Sequence, residues 1–127
     1  MDFGGESGRV LVVEDHSALR EVLARTCRGL GCTVETAANG AEALRRLDDF
    51  HPDLVVLDLN MPVMGGAEFA ARYRCRADTH ARIVVLTADA EETLLAQTIR
   101  ADAWIPKEDP ELFIRAVLSF IGAPALD

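Results

Sequence analysis

Residues 54–58 read Leu-Val-Val-Leu-Asp, so four apolar side chains in a row end at a carboxylate. A short run that is apolar at every position predicts a strand covered on both faces, as inside a parallel sheet. The preceding His51-Pro52-Asp53 contains a proline, which disfavours the continuation of an earlier element into the run. We therefore predict a buried strand over residues 54–57, with Asp58 at its carboxyl end.

The same pattern recurs on both sides of this strand. Arg9–Val13 (RVLVV) and residues 83–86 (IVVL) are short, almost wholly apolar and rich in β-branched residues, which favours two more buried strands. Residues 33–36 indicate a weaker strand. Residues 103–105 predict a short edge strand, because Pro106 cannot donate a hydrogen bond to a neighbouring strand. The chain thus contains five predicted strands.

Amphipathic stretches that predict helices follow these strands. Ser17 and Asp109 stand at positions typical of N-caps, and Pro110 suits the first turn of the last helix. Asn39 and Glu42 have the spacing of a capping box. The apolar positions expected to face the sheet are Leu19, Val22, Leu23, Cys27 and Leu30 in the first helix, Ala43, Leu44 and Leu47 in the second, Phe69, Ala70 and Tyr73 in the third, and Phe113, Ala116, Val117, Phe120 and Ile121 in the fifth. The fourth helix is predicted over residues 91–99.

Five strand–helix units in strict alternation predict an α/β fold, with one parallel sheet and helices on both faces. Right-handed crossovers leave few strand orders, and the flavodoxin-like order 2-1-3-4-5 is the expected one for five strands. The 127 residues suffice for one domain. We expect that domain over residues 9–122, between a flexible N-terminal tail (1–8) and a C-terminal tail (123–127).

Composition and charge narrow the classes of function. The chain carries 13 basic and 21 acidic residues, a formal net charge of −8. An acidic surface repels phosphate backbones, which argues against direct nucleic-acid binding by this segment. The apolar runs are far shorter than the ~20 residues of a membrane span, and the N-terminus lacks the pattern of a secretion signal. We therefore expect a cytoplasmic protein without membrane contact.

Cysteine and lysine usage is also informative. Cys27, Cys32 and Cys75 form no CxxC pair and lie at no ligand spacing with a histidine. This argues against a zinc site or a disulfide framework and favours reduced thiols. Of the 13 basic residues only Lys107 is a lysine. A single lysine among arginines reflects either chance on an exposed loop or a position where a compact ammonium group is needed.

Polar side chains follow four of the predicted strands, at the edge where open parallel sheets bind ligands. They are Glu14 and Asp15, Asp58, Thr87 and Lys107. Taken singly, each could be a solvated strand end or a helix cap; together they indicate a site. If the first and third strands are neighbours, Asp15 and Asp58 lie roughly 5 Å apart and repel by about 3 kcal/mol at an effective dielectric of about 20. Such a cluster either raises a carboxyl pKa or binds a cation, and hard oxygen ligands favour Mg²⁺.

Four stretches of the sequence resemble the bacterial response-regulator receiver family, over about residues 9–121. They are VVED (12–15), DLNMPVMGG (58–66), LTA (86–88) and WIPK (104–107), of which the second is very specific in its D-x-x-M-P-x-M-x-G pattern. The resemblance implies a signalling domain in which Asp58 accepts a phosphoryl group from a histidine kinase or a phosphotransfer protein. It implies no enzyme beyond self-catalysed phosphotransfer and dephosphorylation.

The resemblance also implies roles for the other residues at this edge. The implied ligands of Mg²⁺, or of Mn²⁺ as a substitute, are Glu14 (mostly through water), Asp15, Asp58 and the backbone carbonyl of Asn60. The implied phosphoryl-binding and switch residues are Thr87, Lys107, Ala88 and Trp104. Trp104 would turn inward when Thr87 moves toward the phosphoryl group. The signal would reach a downstream protein, or a second copy of the chain, through the face of the fourth helix, fifth strand and fifth helix, where the candidate contacts are Leu94, Leu95, Trp104 and Arg115.

Four positions depart from the family pattern without removing a site residue. Gly65 replaces an acidic or amide residue, Trp104 stands where Tyr or Phe is usual, and Glu108 stands where many members carry a cis proline. Arg100 replaces a common glycine after the fourth helix, so that turn is expected to carry mild strain.

Two other functions stay open. A receiver-like interaction module would work without phosphorylation, and binding of Mg²⁺ or of a phosphoryl mimic would separate it from a phosphorylated receiver. A metal-dependent phosphatase with an aspartyl nucleophile would use a second aspartate two residues further on as a general acid. This chain has Asn60 at that position, and an amide cannot serve as that acid.

Overall fold

The computed structural model describes residues 8–77 and 79–122, in which strands and helices alternate from end to end. The strands are β1 Arg9–Val13, β2 Thr33–Ala37, β3 Leu54–Asp58, β4 Arg82–Thr87 and β5 Ala103–Pro106. The helices are α1 Ser17–Gly29, α2 Gly40–Arg46, α3 Gly66–Arg74, α4 Ala90–Thr98 and α5 Pro110–Ile121. Residues 1–7 of the N-terminal tail predicted over 1–8, and the whole C-terminal tail predicted over 123–127, lie outside the described residues. Gly8 is described, and its carbonyl accepts a hydrogen bond from the Thr33 N–H at 2.7 Å.

The strands form one parallel sheet in the order β2-β1-β3-β4-β5, which confirms the predicted order. β3 lies at the centre, between β1 and β4, and all five of its residues are buried. In the register of the sheet Val13 pairs with Leu57, and Leu57 pairs with Val85. The carboxyl ends of β1, β3 and β4 therefore meet at one edge, which brings together the residues that follow them.

Each face of the sheet carries its own apolar core, because alternate side chains of a strand point to opposite faces. One core packs strand residues such as Val56 and Leu86 against α1 and α5. The other packs strand residues such as Val55 and Val85 against α2, α3 and α4. The prediction of helices on both faces is thus confirmed. Burial of a Val, Leu or Ile side chain contributes about 1.5–3 kcal/mol, so these cores hold the carboxyl edge in a fixed geometry.

Side-chain caps begin four of the five described helices. Asn39 and Asp109 cap α2 and α5 as predicted, at 2.8 and 3.0 Å from the N–H groups that they accept. The predicted cap of α1 is wrong. His16 is the N-cap, and its Nδ1 accepts the Leu19 N–H at 3.4 Å. The backbone is still extended at His16 (φ −80°, ψ 112°), as a cap residue requires, whereas Ser17 is already helical.

The fourth helix begins and ends one residue earlier than predicted. It spans Ala90–Thr98, because the side chain of Asp89 caps its first turn. Arg100, in the turn that follows, has a φ of 60°, in the left-handed region that glycine adopts more easily. The strain expected there is therefore confirmed. Arg74 donates a hydrogen bond to the Arg100 carbonyl at 2.9 Å and so stabilises the turn.

The structure also describes the state of the cysteines and bears on whether a helix could cross a membrane. All three cysteines are free in the described part of the chain, and burial raises the pKa of Cys27 to about 12 and also raises the pKa of Cys32. The thiols of Cys27 and Cys32 therefore stay protonated at neutral pH. None of the described helices has both the length and the apolar character that a membrane crossing requires.

Candidate functional site

Three carboxylates converge at the carboxyl edge of the sheet. Glu14 and Asp15 directly follow β1, and Asp58 ends β3, the neighbouring strand. One carboxylate oxygen from each of the three lies within 4.8 Å of the other two. This agrees with the separation of roughly 5 Å expected for residues on adjacent strands. The acidic cluster predicted from the sequence is present.

Glu14 is buried among these groups, with 1% of its surface exposed. Its Oε2 accepts a hydrogen bond from the His16 N–H at 3.1 Å, whereas Oε1 is buried without a hydrogen-bond partner among the described residues. Burial raises the pKa of Glu14 to about 7 against the opposing effect of the His16 hydrogen bond, and Asp58 adds to the rise. A buried carboxylate with an unpaired oxygen carries a desolvation cost, which a cation beside it would relieve.

Asp58 is equally buried, but its two oxygens differ. Oδ1 accepts the Asn60 N–H at 3.3 Å and lies 3.2 Å from the Lys107 Nζ. Oδ2 is buried and has no hydrogen-bond partner within residues 8–77 and 79–122. Burial raises the pKa of Asp58 by more than Lys107 and the Asn60 N–H lower it. Asp58 therefore presents one oxygen held in place and one that is unpaired.

Lys107 reaches the cluster from the edge strand of the sheet. Its backbone N–H donates to the Thr87 carbonyl at 2.9 Å, which fixes the chain just after β5. Its Nζ lies 3.2 Å from Asp58 Oδ1 and 3.9 Å from Glu14 Oε1. Partial burial alone would lower the pKa of Lys107, but the two carboxylates outweigh this effect and raise it. The ammonium group is therefore charged at neutral pH.

The donor set fits Mg²⁺ or Mn²⁺. All three side chains offer hard carboxylate oxygens, which are the ligands that these cations prefer. Glu14 Oε1 and Asp58 Oδ2 are buried, and no other described residue satisfies them by a hydrogen bond. Asp15 is exposed, which leaves an approach from solvent. A cation at this place would compensate the buried charge of Glu14 and reduce the repulsion among the carboxylates.

An open cleft of about 430 Å³ lies over the cluster. The predicted site residues that line it are Glu14, Asp15, Asp58, Asn60, Ala88 and Lys107. Thr87 lies next to it, buried at the end of β4. Trp104 is outside the cleft lining, on β5, where it pairs with Val85 and is 39% exposed. The structure thus gathers six of the eight predicted residues in one cleft and places the other two on the strands beside it.

Glu92 also lines the cleft and was not predicted from the sequence. Its Oε1 accepts a hydrogen bond from the Ala88 N–H at 2.8 Å. A signal for it exists in the sequence, since Asp89 and Glu92 have the same spacing as the capping pair Asn39 and Glu42. That spacing turns the carboxylate of the later residue back toward the loop before the helix.

Comparison with known proteins identifies the family. The family model for the response regulator receiver domain matches residues 10–116. The chain belongs to the response regulator receiver family. Receivers are signalling domains of two-component systems, so the fold and the cleft are those of a signalling domain.

Relatives of this receiver are found among curated proteins and solved structures. The transcriptional regulatory protein PrrA of Mycobacterium leprae is 44% identical over 88 residues, which cover 69% of this chain and 37% of PrrA. The chemotaxis response regulator CheY4 of Vibrio cholerae is 30% identical, with a TM-score of 0.74 over 87% of this chain and 98% of that one. TrrA of Thermotoga maritima, solved in complex with Mg²⁺ and BeF, is 32% identical, with a TM-score of 0.70 over the same shares. The receiver chain spans 37% to 44% of the length of the curated relatives PrrA and MprA.

Several apolar side chains of α4, β5 and α5 are exposed, and we call the exposed surface of these three elements the α4-β5-α5 face. The exposed apolar side chains are Leu94, Leu95, Trp104 and Leu112, and Arg115 of α5 is also exposed. Leu112 was not anticipated from the sequence.

Proposed function

We propose that this receiver accepts a phosphoryl group on Asp58 from the phosphohistidine of a histidine kinase or of a phosphotransfer protein. The observation that carries the proposal is the difference between the two Asp58 oxygens. Oδ1 is engaged by Lys107 and by the Asn60 N–H, whereas Oδ2 is buried and unpaired within the described residues. One oxygen is thus oriented and the other is left to react, in a cleft that is open to solvent.

The transfer would break the N–P bond of the phosphohistidine and form an O–P bond to Asp58, and the released imidazole would take up a proton. The protein would promote such a reaction mainly by positioning the reacting groups and by compensating the charge on the phosphoryl oxygens. Lys107 would balance the charge on the phosphoryl oxygens, since the carboxylates keep its ammonium group charged. The Thr87 hydroxyl and the Ala88 N–H would donate hydrogen bonds to the same oxygens.

Mg²⁺, or Mn²⁺ in its place, is the cofactor that we propose. Asp15, Asp58 and the Asn60 backbone carbonyl would hold it, with Glu14 acting mostly through water. When bound, the cation would supply positive charge beside the phosphoryl oxygens. The unpaired buried oxygen of Glu14 supports this assignment, and so does the similarity to TrrA, which was solved with Mg²⁺ and BeF.

The signal would leave this receiver through the α4-β5-α5 face, toward a downstream protein or a second copy of the chain. The 39% exposure of Trp104 supports the outward rotamer that we expect before phosphorylation. The chain would catalyse only its own phosphotransfer and dephosphorylation. With a net charge of −8, we propose no direct nucleic-acid contact for this segment. A cytoplasmic location without membrane contact stays a prediction.

A small phosphodonor such as acetyl phosphate tests the proposal. With Mg²⁺, intact-mass measurement should show a single labile phosphoryl group on the wild type, and no label when EDTA removes the cation. Asp58→Asn should abolish the label, whereas Asp53→Asn should keep it. Asp53 is a matched control, because it precedes the same strand but accepts the Arg9 N–H at the opposite end of the sheet.

Two results would speak against the proposal. Equal labelling of Asp58→Asn and the wild type contradicts the assignment of the acceptor. No label on a folded wild type contradicts phosphorylation and favours an interaction module that works without it.

A further inference from the structure

The carboxylate of Glu92 accepts a hydrogen bond from a backbone N–H at the rim of the cleft. Glu92 is the third residue of α4, and its N–H donates to Asp89 Oδ1 at 2.9 Å. Its side chain turns back so that Oε1 accepts the Ala88 N–H at 2.8 Å. Glu92, Ala88, Asp58 and Lys107 all line the same cleft. An acidic side chain therefore lies where the proposed function requires room for an anion.

The Ala88 N–H is the hydrogen-bond donor for which Glu92 and a phosphoryl group on Asp58 would compete. Alanine has no polar side chain, so its backbone N–H is the only donor that it can offer to a phosphoryl oxygen. A backbone N–H carries one hydrogen, and Glu92 already uses it. A phosphoryl group on Asp58 and the carboxylate of Glu92 would also repel each other as like charges. The two anions therefore compete for one donor.

We propose that Glu92 holds the place of the phosphoryl group in the unphosphorylated receiver, and that phosphorylation of Asp58 displaces it from the Ala88 N–H. The inference rests on the proposed function and deepens it. Glu92 is then a positioning residue, which acts through Ala88 and does not react. Its charge also favours the charged form of Lys107, although less than Asp58 and Glu14 do.

Displacement of Glu92 would couple the first turn of α4 to the phosphorylation of Asp58. In the unphosphorylated state the first turn of α4 is tied to the β4–α4 loop by the Asp89 cap and by the Glu92 bond. Loss of the hydrogen bond between Glu92 and the Ala88 N–H would hold that turn less firmly. Leu94 and Leu95 follow on the same helix and are exposed on the α4-β5-α5 face. The inference thus connects charge on Asp58 to the surface that is proposed to carry the signal.

The start of α2 provides an internal control for the hydrogen bond between Glu92 and the Ala88 N–H. At the start of α2, Asn39 accepts the Glu42 N–H at 2.8 Å, and Glu42 Oε1 accepts the Ala38 N–H at 2.7 Å. The two backbone bonds are the same as at α4, whereas Glu42 Oε2 also pairs with Arg46 at 3.3 Å. Glu42 does not line the cleft. Substitutions of Glu42 therefore report what loss of such a bond does to a helix, without any effect on the site.

The test is the affinity for beryllofluoride, a phosphoryl mimic, measured by calorimetry in saturating Mg²⁺ for the wild type, Glu92→Ala, Glu92→Gln, Glu42→Ala and Glu42→Gln. Glu92→Ala should bind about fivefold more tightly than the wild type, which is the factor that one net hydrogen bond is worth. Glu92→Gln, which keeps an acceptor but loses the charge, should also bind more tightly. Both Glu42 variants should match the wild-type affinity, while Glu42→Ala and Glu92→Ala should both lower the thermal stability, Glu42→Ala somewhat more because it also loses the Arg46 pair.

The Ala88 amide resonance provides a second measurement on the same proteins. In the wild type its chemical shift should change when beryllofluoride binds, because the acceptor changes from Glu92 to the mimic. In unliganded Glu92→Ala the resonance should already differ from that of the wild type. Wild-type affinity in both Glu92 variants would overturn the inference while leaving the proposed function intact. A wild type that does not bind beryllofluoride would overturn the proposed function, and this inference with it.

Discussion

Among single residues, Glu14 lies in an environment poorly suited to a charged carboxylate. Its side chain is buried, and Oε1 has no hydrogen-bond partner in the described part of the chain. Its pKa in the fold is about 7, against an ordinary value of 4.5. In the absence of a cation, Glu14 is therefore substantially protonated near neutral pH. Folding and the protonation of this residue are linked.

We predict that, without divalent cations, the free energy of unfolding falls as the pH rises from about 4.5 to about 7. The folded state binds the proton more tightly than the unfolded state, so this stability is fully present below the unfolded pKa and is lost as the pH passes through the folded one. The loss is of the order of 3 kcal/mol, at ~1.4 kcal/mol for each pKa unit. Urea titrations in EDTA at several pH values measure it. Glu14→Gln should reduce the slope, and an equal slope in both proteins contradicts the account of Glu14.

Val63 is a second unusual residue, on the loop between β3 and α3. It is one of two non-glycine residues with positive φ in residues 8–77 and 79–122, with a φ of 71°, and it is 83% exposed. A β-branched side chain in the left-handed region is strained, whereas Asn adopts that region readily. We predict that Val63→Asn raises the free energy of unfolding by about 1 kcal/mol, as measured by urea denaturation.

Leu94→Asn is the control for the Val63 substitution, since Leu94 is also apolar and exposed but lies in a regular helix. It should lower the stability, because Asn is a weaker helix former than Leu. A gain in both variants would mean that the loss of exposed apolar surface, and not the backbone strain, explains the result.

Among the elements, the β3–α3 connection leaves no room for a side chain at Gly66. A Cβ on Gly66 would collide with the Asp58 carbonyl oxygen and lie 2.9 Å from the Leu59 Cα. We predict that Gly66→Ala lowers the free energy of unfolding by about 2 kcal/mol, as overpacking does, and weakens Mg²⁺ binding because Asp58 must shift. Gly29→Ala is the matched control, since a Cβ there meets nothing within 4 Å. Equal thermal stability of the two variants would contradict the close approach at Gly66.

The helix ends illustrate what the sequence could and could not predict at this scale. The caps Asn39 and Asp109 were predicted correctly, because such a cap depends only on its own side chain and on a backbone N–H three residues further along the chain. His16 was not predicted as the cap of α1. The position of that cap depends on where the chain stops being extended after β1, which is set by the sheet and not by the local pattern.

At the scale of the whole molecule, the strand order and the place of the cleft followed from the alternation of apolar runs and amphipathic stretches. Asp58 and Lys107 meet because the carboxyl ends of parallel strands share one edge. The burial of Glu14 could not be predicted from that pattern. It depends on groups brought in by the fold, such as the Ala37 carbonyl on β2, which accepts its N–H, and Arg20 on α1, which donates to its carbonyl. The spacing of Asp89 and Glu92 indicates the bond from the Ala88 N–H to Glu92, but the position of Glu92 in the cleft depends on the fold.

The central claim is that Asp58 accepts the phosphoryl group. Loss of label in Asp58→Asn does not by itself separate the acceptor from a cation ligand, because Asp58 is proposed to be both. Borohydride reduction of the freshly labelled wild type, followed by peptide mass mapping, makes that separation, since it converts an aspartyl phosphate into homoserine. The account predicts homoserine at position 58 and at no other acidic residue. Homoserine at Asp15 instead, or an unmodified Asp58 in protein that carries the label, would contradict it.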